Sequence, residues 1–252
     1  MKSILVFFIL IVIGQQSVFA QEEKETIFAL DENFVGCEYS KSKFIYVRYK
    51  EHDSLYKWSL YHVAGALIRT EETKDEDGEL TNGITCFYNK NGRIDSLHSY
   101  KNGIADGDYY YWNDTGAIAK IVNFKNGVFV KERYNLERSI RTPLPSNLEI
   151  SGLEVESEYP GGISKWKRYL EKTLEYPERA LNLKKAGLVK VMFIVDSDGS
   201  IKDIRIFQSL EYSLDKQAMQ VIQNSKKWTP AYQNGKYVKS YKIQPIIFAL
   251  SK

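Results

Sequence analysis

Three histidines (His52, His62 and His98), two cysteines (Cys37 and Cys86) and the run Asp196-Ser197-Asp198-Gly199 are the residues whose types could hold a metal or move a proton. Their spacing argues against both. There is no Cys-x-x-Cys or His-x-x-x-His pair to set two ligands side by side, as zinc sites require. The acidic run opens like a calcium loop, yet its twelfth position, where such a loop needs a glutamate, is Phe207. No serine sits in a nucleophile-elbow context. Gly161-Gly162 is too short to cradle a phosphate and reads as the entry to a helix. Trp166 and Trp228 read as core residues. No cofactor or metal is expected, and the chain is not expected to be an enzyme. The cysteines leave two readings open: a disulfide in an oxidising compartment, or two separate buried thiols.

What remains is recognition, and the chain's organisation shows where to look. Met1-Lys2-Ser3 is a basic start, Ile4 to Ile13 an apolar run, and Val18-Phe19-Ala20 a small-residue site before Gln21. Residues 1–20 are therefore expected to be a cleavable signal peptide that exports the protein. The alternative is an inner-membrane anchor through the same residues, for which an apolar run of ten is short against the roughly 20 needed. Net charge is +3 over 252 residues but divides unevenly, −6 over residues 21–156 and +8 over residues 157–252. Such a division marks two modules. There is no arginine–aromatic pattern to suggest nucleic acid.

Residues 21–140 read as an all-β repeat domain of stacked hairpins. Gly83, Gly92 and Gly103 recur as Gly107, Gly116 and Gly127, and Lys101-Asn102-Gly103 recurs as Lys125-Asn126-Gly127, each 24 residues later. Within a unit, side chains alternate with the two-residue period of a strand, and Asn113-Asp114-Thr115-Gly116 carries turn chemistry. A lone hairpin is marginal, so neighbouring units must stack. Residues 57–130 resemble the MORN-like variant repeat, which implies a scaffold or interaction surface and no defined chemistry.

Residues 141–156, with Pro143 and Pro145, read as a linker. Residues 157–252 change to an α+β pattern of helix, strand, strand, helix, strand, with a three-stranded antiparallel sheet. Ile163, Trp166, Leu170 and Leu174 stripe the first helix, and a short second helix follows Pro177. Leu188 to Val195 and Ile201 to Phe207 make a hairpin, Ser213 is read as the cap of the next helix, and Tyr237 to Leu250 is read as one long final strand.

Eight landmarks in order then carry a resemblance: Tyr159-Pro160-Gly161-Gly162, Tyr176-Pro177-Glu178-Arg179-Ala180, Gly187-Leu188-Val189, Asp198-Gly199, Leu214-Asp215 with Ala218, Trp228-Thr229-Pro230, Asn234-Gly235-Lys236 and Pro245-Ile246-Ile247-Phe248. The segment from about residue 158 to 250 resembles the TonB C-terminal domain family. The resemblance implies a periplasmic module that captures a TonB-box-like peptide from a TonB-dependent outer-membrane transporter by adding it to the edge of the last strand. Independently of the family, an open edge offers main-chain hydrogen bonds to an extended peptide. The residues expected to bind are Lys236, Tyr237, Val238, Lys239, Ser240, Tyr241, Lys242, Ile243 and Gln244, stopping before Pro245, which lacks a donor. Lys236, Lys239 and Lys242 favour an acidic peptide, or else form a solvated face. The chain departs from energy-transducing members in that its N-terminus reads as a cleavable leader where they carry a membrane anchor, and its six prolines make no Pro-rich spacer. An adaptor is therefore expected rather than a force transmitter. The alternative is a structural envelope protein that forms a homodimer through the same edge, with the repeats as its main recognition surface.

Overall fold

The protein is described here from a computed structural model covering residues 25–52, 54–134 and 156–250. The expected signal peptide and most of the expected linker lie outside the described residues. Residues 25–134 form ten strands: β1 (Glu25–Leu30), β2 (Phe44–His52), β3 (Leu55–His62), β4 (Leu67–Thr73), β5 (Thr81–Tyr88), β6 (Ile94–Lys101), β7 (Ile104–Ala105), β8 (Gly107–Trp112), β9 (Ile118–Lys125) and β10 (Val128–Tyr134). They make one antiparallel sheet in the order β1-β2-β3-β4-β5-β6-β8-β9-β10, with β7 beside β6. Apart from the two-residue β7, each strand lies next to its chain neighbour because the connections are short, and short connections permit only antiparallel pairing. Asn126-Gly127 shows how: φ of 48° and 81° makes the two-residue turn that joins Lys125 to its partner Val128.

The C-terminal module runs α1 (Gly162–Thr173), α2 (Glu178–Asn182), β11 (Gly187–Val195), β12 (Ile201–Gln208), α3 (Tyr212–Gln223), β13 (Ala231–Gln233), β14 (Lys236–Val238) and β15 (Ser240–Phe248). Its main sheet has the order β12-β11-β15. Val189, Val191, Phe193 and Val195 are fully buried on one face of β11, and Leu214, Ala218 and Ile222 of α3 are buried with them in one apolar cluster. Burying each of the larger side chains contributes about 1.5–3 kcal/mol. The cap of α3 is Glu211 and not Ser213: the Glu211 carboxylate accepts from the Ser213 N–H at 2.9 Å. It is the side chain ahead of the helix that reaches forward to the orphan amides.

The expected single final strand is two elements. Lys236–Val238 pairs with Ala231–Gln233 in a separate hairpin about Asn234-Gly235, and the main-sheet strand begins only at Ser240.

The two modules share a core. One hydrophobic cluster joins Ile45, Tyr61, Leu67, Tyr88, Tyr110 and Trp112 of the hairpin sheet to Met192, Ile206, Phe207 and the helix layer. Met192 is only 3 % exposed although it lies on the sheet face opposite the helices. Polar contacts stitch the seam. The Tyr88 hydroxyl donates to the Ile206 carbonyl at 2.7 Å, the Leu67 N–H to Ser209 Oγ at 2.8 Å, and the Ser209 N–H to the Gly92 carbonyl at 2.7 Å. Arg179 of α2 pairs with the Glu211 carboxylate and also donates to the Tyr39 hydroxyl and the Val63 carbonyl. Lys216 meets Glu25 at 2.5 Å and Arg205 meets Glu72 at 2.9 Å, so the basic half is paired across the seam with the acidic half. Cys86 is fully buried within this core, where burial pushes its thiol up, and both cysteines are free. Among the described residues no helix is long and apolar enough to cross a membrane.

Candidate functional site

A three-stranded sheet has two edges, and the fold treats them differently. The β12 edge is blunted. Gln208 at its end bridges to Arg93 of the hairpin sheet, and Asp203 sits at a φ of 53° where the register shifts. A bulge of this kind twists an edge away from further pairing. At the other edge, β15 pairs with β11 over nine consecutive positions, from Gly187 opposite Phe248 to Val195 opposite Ser240. No strand lies on its other side among the described residues.

Of the nine residues expected to bind, Ser240, Tyr241, Lys242, Ile243 and Gln244 lie on β15. Lys236, Tyr237 and Val238 lie on β14, and Lys239 in the one-residue break between them. The strand also continues past Pro245, opposite Lys190, to Phe248. The pleat sorts the β15 side chains. Ile246 and Phe248 are buried on the helix side, whereas Ile243 and Ile247 stand out on the other face at 39 % and 71 % exposure. Lys242 is not a free rim charge: its ammonium donates to the Ser157 carbonyl at 2.8 Å and lies 3.6 Å from the Glu156 carboxylate. Lys236 and Lys239 remain exposed.

The edge is held in place by contacts between distant landmarks. Glu158 and Thr229 exchange backbone hydrogen bonds at 3.1 and 2.9 Å, which anchors the approach to α1. The Trp228 N–H donates to the Gly199 carbonyl at 2.9 Å, tying the β11–β12 turn to the segment after α3. Tyr159, Trp166 and Trp228 pack ring on ring with centroids 5.1 to 5.8 Å apart, beside Lys242 and Gln244. Sequence reasoning placed Trp166 and Trp228 in the core without seeing that they border the edge.

Elsewhere the chemistry is quiet. Among the described residues no group of His, Cys, Asp or Glu is arranged to hold a metal. His98 is stacked on Tyr109 at 4.1 Å, and burial holds its pKa below the usual histidine value. A cleft of about 720 Å³ opens between the hairpin sheet, β12 and α3. Its charges answer one another, with Lys57 to Glu51 at 2.5 Å besides the two seam pairs.

The sequence pattern of residues 172–250 matches the family described as Gram-negative bacterial TonB protein C-terminal. Among solved structures, the chain is similar to the solution structure of the TonB C-terminal domain of Helicobacter pylori. The two are 22 % identical, with 37 % of this chain and 90 % of that one covered and a TM-score of 0.30. No curated protein matches the chain. Residues 172–250, which include the β15 edge, thus carry the sequence pattern of the TonB C-terminal family.

Proposed function

We propose that this protein is a periplasmic adaptor that captures an extended, acidic peptide by adding it as a strand to β15. TonB C-terminal domains are non-enzymatic interaction domains of the envelope that act with outer-membrane transporters. The natural donor of such a peptide is therefore an outer-membrane transporter with an extended N-terminal segment. One observation carries the reading: the hairpin sheet packs on the β12 side and, among the described residues, β15 has a strand neighbour on one side only. Main-chain hydrogen bonds supply affinity in such a mode, and alternate side chains supply specificity. Lys236 and Lys239, exposed where β14 hands over to β15, supply positive charge at one end of the edge.

The test titrates the chain from Gln21 onward with acidic β-forming peptides and with the same peptides N-methylated at alternate residues. Saturable binding is expected only for those whose outward-paired amides are intact, because methylation removes a donor from the ladder. Equal binding of methylated and unmethylated forms, or none of either, defeats the proposal. A concentration-dependent dimer that excludes the peptide would favour self-association through this edge instead.

A further inference from the structure

The cleft of about 720 Å³ between the two modules has the size of a small-molecule site, for which ~300–1,000 Å³ is usual. The hairpin sheet lines it with Val47 and Tyr49 of β2 and Ser59 of β3, and α3 lines it with Met219, Gln220 and Gln223. Register places Ser59 opposite Val47 and Lys57 opposite Tyr49, so these side chains share the sheet face that holds the core. Gln220 and Gln223 are one helical turn apart and share a side of α3. Ile84 and Ile204, only partly buried, add apolar surface. Every charged side chain lining the cleft already has its counter-charge. Arg205 meets Glu72 at 2.9 Å and Asp203 at 2.5 Å, Lys216 meets Glu25 at 2.5 Å, and Lys57 meets Glu51 at 2.5 Å. Glu71 and Lys202 pair with Arg69 and Asp196. The neutral groups are the uncommitted ones. Among the described residues, the Tyr49 and Ser59 hydroxyls and the Gln220 and Gln223 carboxamides have no hydrogen-bond partner.

We infer that this cleft is a binding site for a short neutral oligosaccharide. A charged ligand must break one of the pairs or lose its own hydration without a partner. A purely apolar ligand covers hydroxyls and carboxamides that water now satisfies. A pyranose avoids both costs. Its rim of hydroxyls both donates and accepts, as Tyr49, Ser59 and the two glutamines do. Its C–H faces lie against Val47, Ile84, Ile204 and the Tyr49 ring. The site touches both modules and no residue of β15, so it stands apart from strand capture.

The test titrates the chain from Gln21 onward, by calorimetry and by thermal shift, with maltotriose, cellotriose and N-acetylated chitotriose. The comparisons are the deacetylated chitosan trimer, a cation; trigalacturonate, an anion; and a blocked alanine tripeptide, neutral but without hydroxyls. At least one neutral trisaccharide is expected to saturate and to raise the unfolding midpoint, because a ligand of the folded state stabilises it. The three comparison ligands are expected to bind it at least about tenfold more weakly. Gln220→Ala, a change at an exposed residue, is expected to weaken sugar binding about two- to tenfold, the value of one hydrogen bond. Glu51→Gln leaves Lys57 without its counter-charge, and trigalacturonate is expected to gain about two- to fivefold. Three outcomes overturn the inference: no neutral trisaccharide binding up to about 10 mM, a charged trimer or the tripeptide binding as tightly, or sugar binding that Gln220→Ala leaves unchanged. None of them bears on peptide capture at β15.

Discussion

Asp215 shows how a landmark residue can serve the seam instead of a reaction. It is fully buried, accepts hydrogen bonds from the Ser209 hydroxyl and, at 3.0 Å, from the Leu210 N–H, and lies near Glu211 and Tyr61. Burial pushes its pKa up to about 7; the hydrogen bonds pull the other way, and the Glu211 carboxylate adds to the rise. The folded state therefore holds a proton that the unfolded chain, with an ordinary value of about 4, has already released. By linkage this contribution is fully present below about pH 4, is lost as pH rises to about 7, and is flat above. Asp215→Asn removes the titration. Its Oδ1 still accepts from Leu210 and its Nδ2 donates to Ser209 Oγ. Urea unfolding across pH 4 to 8 is expected to show the two proteins alike at the acid end and the variant more stable, by a few kcal/mol, at pH 8. A constant difference across the range would refute this account of Asp215.

At the scale of elements, what was legible followed short-range chemistry. The 24-residue recurrence of glycines and Asn-Gly turns lies in strands whose neighbours in sequence are neighbours in space, so spacing carried most of the topology. The alternating burial of Val189, Val191, Phe193 and Val195 was equally plain. The division of the last strand was misread because alternation continues from Tyr237 into Ser240–Phe248 and says nothing of which strand is the partner. A signal was there: Asn234-Gly235 between Tyr232 and Tyr237 is the strongest short-range hairpin mark. The seam was not legible, because Ser209, Arg179 and Arg205 are polar residues whose partners lie more than a hundred positions away. The division has a consequence for binding. Ile243 stands on the β15 edge opposite Met192, whereas Tyr237 packs on Tyr232 within its own hairpin at 5.3 Å. Ile243→Ala is expected to weaken capture of an acidic β-forming peptide about two- to fivefold, the value of one cross-strand pair, and Tyr237→Ala to leave it unchanged. The opposite ranking, read by calorimetric titration, would restore the single long edge.

Over the whole molecule, the shared core makes the hairpin sheet a structural half of the C-terminal module rather than a separate attachment. It covers Met192 and Phe207, which lie on the sheet face away from the helices or at its margin, and whose exposure would each cost about 1.5–3 kcal/mol. The turn that closes this cover has little room. Gly92 has a φ of 71°, and a Cβ there would lie 2.4 Å from the Ser209 carbonyl oxygen and 2.8 Å from Ala66 Cβ. Gly92→Ala must therefore open the seam or strain the turn, at a cost on the order of 1–3 kcal/mol. Because both halves draw on one cluster, the loss is expected to lower one common transition and not to release a single half. Calorimetry, with tryptophans read separately by leaving only Trp112 in the hairpin sheet or only Trp228 beyond it, checks this. Coincident transitions, shifted down together in Gly92→Ala, are the expected result; two resolved transitions, with only the hairpin sheet destabilised, would mean that the seam is a contact and not a core.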